Sequence, residues 1–476
     1  MLFFTKGKVM LFSSIPFLYY FLPFVLAVYF LVPFRFKNLV LLVASLFFYF
    51  YGEPVYVLLM LFSCLSSFIH GILIDKYRGT RWAKVWLVSS VTSSMLLLGF
   101  FKYSDFFLQN INSLFGAGIP LLGIALPIGI SFFTFQTLSY TIDVYRGNAK
   151  VQKSFVRLAT YVALFPQLIA GPIVRYTTVE EDLAERTHSV NKFGEGVTRF
   201  TIGLAKKVLI ANVLYEFIET FRASDDKSVV FYWMYGIAFS LHIYFDFSGY
   251  SDMAIGLGKI FGFRFLENFD YPYISRSVSE FWRRWHMSLG SWFRDYVYIP
   301  LGGNRVSTMR WIFNTLVVWL FTGFWHGAAW TFIVWGLYFA AFLLLEKFFL
   351  KKFFEKLPRI FSHIYVLIVV IISFVVFNAV NFTEAFSDIR GMFGGLDIPF
   401  WGQETAYYLS SYGLLFAVAL FGATPCMKNT VLKLKEKKGF GLAIDILEPI
   451  TVVVLLTVIT ACFVNGSFNP FLYFRF

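Results

Sequence analysis

IYVLIVVIISFVVFNAV, residues 364–380, carries no charge and neither glycine nor proline. As a helix it extends roughly 25 Å, close to the thickness of a bilayer's hydrocarbon core. Seven other blocks read the same way: Ile15–Pro33, Val55–Ile74, Trp86–Phe101, Phe231–Phe247, Trp330–Leu345, Tyr407–Phe421 and Ile450–Phe463. The whole chain of 476 residues agrees with them, being 58% apolar, 21% aromatic and only 14% charged, with a mean hydropathy of +0.67. A soluble protein carries roughly 25% charged residues, so lipid rather than water must face much of this surface. The expected fold is all-α: a polytopic membrane protein of about eleven transmembrane helices, with re-entrant or interfacial helices around a central funnel. No long polar linker divides the chain, so residues 1–476 read as a single membrane-embedded domain. The first block lacks a cleavage site and is expected to be a retained span, with Met10 as an alternative start.

The net charge of +13 does not point to nucleic acid, because the basic residues sit in short loops between apolar blocks. Asp75–Lys84, Lys347–Arg359 and Lys428–Lys438 are the lysine- and arginine-rich stretches, and the positive-inside bias assigns all three to the cytoplasm. Membrane lipids are then the partners of that charge. The segment with Glu384, Asp388, Asp397 and Glu404 should lie outside, and one further span should carry residues 465–476 outside as well. The expected location is the cell membrane, multi-pass, with an extracytoplasmic C-terminus. Cys64, Cys426 and Cys462 form no CxxC pair, and no metal site is expected.

Some stretches are too broken by glycine, proline and charge to be plain spans, notably Pro120–Pro127 and Phe245–Leu301. Irregular backbone at membrane depth requires protein or a watery cavity around it, which predicts a solvated chamber. Ionisable groups there are functional candidates. Of six histidines, His70, His188 and His363 lie at loop ends or in polar loops and read as packing residues. His326, in Thr322-Gly-Phe-Trp-His-Gly-Ala-Ala-Trp330, has basic flanks on both sides, Arg305 and Arg310 before and Lys347, Lys351 and Lys352 after. With both flanks cytoplasmic, residues 311–346 form an intramembrane hairpin or bent element, and about 22 Å of helix from Trp311 places the imidazole deep. Gly327 beside it would allow a substrate or cofactor arm to approach closely. His286 lies in Phe281-Trp-Arg-Arg-Trp-His-Met-Ser-Leu-Gly-Ser-Trp-Phe-Arg-Asp-Tyr296. That segment reads either as an interfacial amphipathic helix or as a phosphate-binding element, since arginine suits bidentate phosphate contact. Asp246, Tyr250 and Asp252 form a polar set whose bland reading is neutralisation of the arginines that follow. A proton- or ion-coupled transporter remains the rival class, although no internal repeat of the kind common in transporters is visible.

Phe165-Pro-Gln-Leu-Ile-Ala-Gly-Pro172, Asp246-Phe-Ser-Gly-Tyr-Ser-Asp252, Phe281-Trp-Arg-Arg-Trp-His-Met-Ser-Leu289, Phe293-Arg-Asp-Tyr-Val-Tyr-Ile-Pro-Leu-Gly-Gly303 and Trp325-His-Gly327 occur in order along the chain. This set closely resembles the membrane-bound O-acyltransferase (MBOAT) superfamily, in its bacterial branch that acetylates alginate, peptidoglycan and other envelope glycans. The resemblance implies acetyl-CoA as donor, His326 as catalytic histidine and His286 as a second active-site histidine. Arg283, Arg284, Arg294, Trp282, Trp285 and Trp325 then become candidates to bind the donor. Phe471-Leu-Tyr-Phe-Arg-Phe476 resembles the F-x-Y-x-x-F ending of this branch and implies an acyl-carrier role for Tyr473, against the alternative of an interfacial anchor. Nine extended residues reach at most roughly 30 Å, enough for Tyr473 to return to an outward funnel. The resemblance further implies an extracytoplasmic SGNH or esterase-like acetyltransferase partner and a cell-envelope polysaccharide as final acceptor. A lipid acyltransferase of the same superfamily is the remaining alternative.

Overall fold

The computed structural model describes residues 10–169, 171–437 and 439–465. Tyr473 and the ending around it, residues 471–476, lie outside the described residues. Among those described, every regular element is a helix. Two compact units comprise Met1–Phe200 with Ser251–Leu266, and Thr201–Tyr250 with Glu267–Phe476. Among the described residues, seven helical stretches are long and apolar enough to cross a membrane. They are Phe34–Gly52, Val57–Lys76, Arg81–Phe115, Trp330–Phe354, Arg359–Asn378, Gln403–Gly422 and Phe440–Val464, and the apolar stretch Pro16–Leu31 is shorter. The protein is an all-helical, polytopic membrane protein. The remaining apolar sequence includes the unbroken 32-residue helix Val229–Ile260, which holds the expected block 231–247, and a series of shorter helices.

The first unit contains α1 (Leu22–Leu31), α2 (Phe34–Gly52), α3 (Val57–Lys76), α4 (Arg81–Phe115) and α5 (Ile130–Arg146). Phe12, Phe17, Phe21, Phe48 and Phe165 form an aromatic knot in its core, with ring centres 4.8 to 6.4 Å apart. The broken stretch before α5 has no helix, and side chains satisfy its backbone as membrane burial demands. Asn112 exchanges two hydrogen bonds with the Ile119 peptide, Asp105 accepts from the N–H groups of Leu122 and Gly123, and the Tyr56 hydroxyl donates to Ala125.

In the second unit the elements that matter are α6 (Val278–Arg284), α7 (Met287–Phe293), α8 (Thr308–His326), α9 (Trp330–Leu345), α10 (Arg359–Asn378), α11 (Gln403–Gly422) and α12 (Phe440–Val464). The hairpin predicted over 311–346 is α8 and α9, joined by three residues. Its helices touch backbone to backbone. A Cβ on Gly336 would fall 2.3 Å from the Trp319 carbonyl oxygen, and one on Gly323 would fall 2.3 Å from that of Phe332.

The loop charges yield a test of orientation. With native cysteines replaced, a cysteine at exposed Lys352 or Lys435 should resist an impermeant thiol reagent in intact cells, whereas one at exposed Asp397 should react. Labelling at 435 from outside would reverse α12.

Candidate active site

The two histidines singled out by sequence are both buried, His286 at 1% exposure and His326 at 4%. Trp325 lies between them, its ring centre 6.0 Å from His286 and 5.0 Å from His326. His326 ends α8, and its ring packs edge-on against Trp335 at 5.0 Å and Phe377 at 5.5 Å. Gly327 does need to be glycine, but its neighbour differs from the expected one. A Cβ there would stand 2.2 Å from the Phe332 ring, so the space serves helix packing rather than a substrate arm.

His286 occupies the break between α6 and α7 with φ 45° and ψ 53°, a left-handed conformation that costs a non-glycine residue energy. Both flanking helices are held at their N-termini, where unpaired N–H groups need acceptors. Buried Glu346, at the end of α9, accepts from the N–H groups of Val278 and Ser279 and from the Ser279 hydroxyl. Asn268 accepts from Met287, through its carbonyl, and from the N–H and hydroxyl of Ser288, through its side chain. The strained imidazole is thus fixed between two capped helices. Sequence reading missed both caps, because each acceptor is remote from the N–H groups it serves.

A cavity of about 400 Å³ is lined by His286, Trp282, Arg283 and Arg294 together with Trp319 and Thr322 of α8. Trp319, Thr322 and His326 are spaced i, i+3 and i+7, so they share one helix face, and His326 is the next residue along that face. A second cavity of about 850 Å³ shares Ser279, Arg283, Tyr298, Val318 and Trp319 with the first. Its other walls include Arg276, Lys347, Lys351 and Arg359, against the acids Glu346 and Glu355. Glu346 is committed to the α6 N-terminus, so cationic charge is in excess. Sequence reading used these four basic residues for orientation at most. Nothing local marks them as lining a cavity, since they come from separate segments.

The predicted donor-binding residues are divided by this arrangement. Arg283 lines both cavities and, among the described residues, has no carboxylate partner. Arg294 lines the smaller one while paired with adjacent Asp295 at 2.6 Å. Arg284 lines neither; it bonds Glu280 at 3.0 Å and Asp270 at 2.9 Å, tying the loop before α6 to that helix. Trp282 lines the smaller cavity, whereas buried Trp285 stacks on Phe281 at 5.5 Å and packs on Phe374 at 5.2 Å. The polar set is also divided. Asp246 pairs with buried Lys207 at 2.5 Å and Asp252 with Arg199. These partners precede the aspartates, whereas Arg284 and Arg294, which follow them, pair with Asp270, Glu280 and Asp295. Tyr250 is buried at 1% exposure. Among the described residues no three His, Cys, Asp or Glu side chains gather as a metal site.

A family model described as MBOAT, membrane-bound O-acyltransferase family, matches residues 148–387, a span that includes both histidines and the cationic walls. A probable alginate O-acetylase of Azotobacter vinelandii is 38% identical over 98% of this chain and 100% of its own. A Pseudomonas aeruginosa protein of the same description is 42% identical over 81% of this chain and 75% of its own. The peptidoglycan O-acetyltransferase of Helicobacter pylori is 33% identical over 89% of this chain and 88% of its own.

Placing His326 requires the α8–α9 contact, so Gly336→Ala should force the helices apart. A loss of about 1–3 kcal/mol is expected for such overpacking. The thermal unfolding midpoint in detergent should fall for this variant. It should hold for Gly413→Ala on α11, where no atom lies within 4 Å of the added methyl.

Proposed function

The chain belongs to the membrane-bound O-acyltransferase family and is an O-acetyltransferase, and we propose that it moves acetyl groups from acetyl-CoA toward a cell-envelope polysaccharide, alginate or peptidoglycan. The observation that carries this reading is the cavity beside His286 whose wall includes the α8 face that ends in His326. The larger cavity suits the phosphates of the donor, because Arg276, Arg283, Lys347, Lys351 and Arg359 can give charge-assisted hydrogen bonds to them. The thin pantetheine arm then passes Ser279, Tyr298 and Trp319 into the smaller cavity and brings the thioester toward the histidines.

In this reading neutral His326 accepts the proton of an acceptor hydroxyl while the oxygen attacks the acetyl carbon. The carbon–sulfur bond breaks, the ester forms, and the imidazolium returns its proton to the departing thiolate. General-base help of this kind contributes roughly 10²- to 10⁴-fold. His286 orients the acceptor or stabilises the oxyanion from its strained position. Tyr473 is the first acceptor, with a phenol pKa of about 10 that calls for a base at neutral pH. An extracytoplasmic esterase-like partner transfers the acetyl group onward to the glycan. Orientation in the inner membrane with the C-terminus outside belongs to the same proposal.

Three variants test its parts. His326→Ala should insert and fold but lose acetyl transfer, and near-normal glycan acetylation by a well-expressed His326→Ala protein would remove the general-base role. Lys351→Glu should raise KM for acetyl-CoA about tenfold with kcat little changed, as expected for a phosphate contact outside the reacting centre. Tyr473→Phe keeps the ring and deletes the nucleophile. It should abolish glycan acetylation and the adduct of about 42 Da, one acetyl replacing one hydrogen, on the C-terminal peptide. Full acetylation by Tyr473→Phe would leave direct transfer at His326 as the mechanism.

A further inference from the structure

The first unit gathers cationic side chains without the carboxylates that balance such groups elsewhere. Arg186, 6% exposed, donates from Nε to the Tyr29 hydroxyl at 2.9 Å, and from Nη1 to Asn38 Oδ1 at 2.7 Å and the Asp182 carbonyl at 3.0 Å. Its Nη2 is buried and has no acceptor. Lys37, 9% exposed, has its ammonium 4.5 Å from the Tyr29 ring centre and 5.1 Å from that of Phe30. Among the described residues it has no hydrogen-bond or carboxylate partner. The Asp182 carboxylate makes no ion pair with Arg186; it accepts from the Arg264 N–H at 3.0 Å and stands 4.0 Å from the Arg264 Nε. By contrast Arg199, Lys207, Arg222 and Arg284 are each matched with an aspartate or glutamate.

Tyr29 is the hub of the group. Its one hydroxyl proton goes to the Phe261 carbonyl at 2.7 Å, so His188 Nε2, 2.9 Å away, donates to the same oxygen. Burial first, and then the charge of Lys37, hold His188 below the ordinary histidine range; Arg186 and Lys192 add to this and Phe261 opposes it. The three side chains therefore sense one another's charge. Aromatic faces offset the cost of burying a cation only in part, less than a close, well-placed anion does.

Lys37 lies in the first turn of α2, a candidate span, where lipid headgroups reside. Exposed apolar side chains surround that level in sequence: Leu31 is 83% exposed, Phe34 37% and Phe36 42%. We propose that Lys37 and Arg186, with His188 beside them, bind the phosphate of an anionic membrane phospholipid whose acyl chains lie along Leu31, Phe34 and Phe36. A phosphate oxygen accepts from Lys37 Nζ, and the buried Arg186 guanidinium adds its charge from behind. The site is separate from the histidines and does not depend on how acetyl transfer proceeds.

The test is native mass spectrometry of the purified full chain, delipidated and then titrated with phosphatidylglycerol or phosphatidylcholine. Wild type should retain phosphatidylglycerol about tenfold better, the order expected for one charge-assisted hydrogen bond. Lys37→Met should abolish that preference, Lys37→Arg should keep it, and Lys84→Met, which removes an exposed charge elsewhere, should leave it unchanged. Lys37 makes no hydrogen bond that the fold would lose, and elution of Lys37→Met at the wild-type position in size exclusion confirms folding. Equal retention of the two lipids by wild type, or equal behaviour of Lys37→Met and Lys84→Met, would overturn the proposal. So would Lys37-dependent inorganic phosphate adducts that block phosphatidylglycerol binding at equal concentration, since the ligand would then be free phosphate.

Discussion

Gly323 and Gly336 bring α8 and α9 into backbone contact, and the position of His326 follows from that contact. Without a hydrophobic drive between helices in lipid, close packing of small residues is what holds a hairpin together. Closure at Gly327, where the Phe332 ring fills the glycine's empty side, sets the last turn of α8. That turn presents His326 to Trp335 and Phe377 on one side and to Trp325 on the other. The same two helices furnish cavity walls: Trp319 and Thr322 from α8, and Leu343 and Glu346 from the end of α9.

Charge follows a division of labour that the packing explains. Arg222, Arg284 and Lys207 pair with carboxylates from other segments and so tie those segments together. Glu346 is spent on the N–H groups that open α6, which both fixes that helix and removes one anion from the cavity it borders. Arg283 keeps its charge for the cavities. A chamber of five cations and two acids, one of them already committed, carries an excess of positive charge even though the segment around it is mostly apolar.

The strained His286 fits the same economy of positions. Its left-handed backbone persists because capped helices on either side over-determine it, and such strain collects at sites that need a fixed geometry. Phe247, 4.7 Å from its ring, and Trp325, 6.0 Å away, limit the imidazole further. A rigid pair of histidines around one tryptophan is the kind of preorganised arrangement that acyl transfer demands.

Sequence alone determined the all-helical membrane architecture, because a run such as residues 364–380 has one solvent in which it can be stable. It also singled out His286 and His326 as candidates, since ionisable groups in apolar surroundings are costly to keep. The pairing of Asp246 with Lys207, the reach of Arg284 back to Asp270, and the gathering of Arg276 and Arg283 with Lys347, Lys351 and Arg359 around one cavity were decided only by tertiary structure. Each joins residues from separate segments, and a side chain's partner depends on which helices cross beside it, a distance that the order of residues does not encode. Gly327 illustrates the limit: the need for glycine was legible, but whether a substrate arm or the ring of Phe332 fills the space was fixed by the turn into α9.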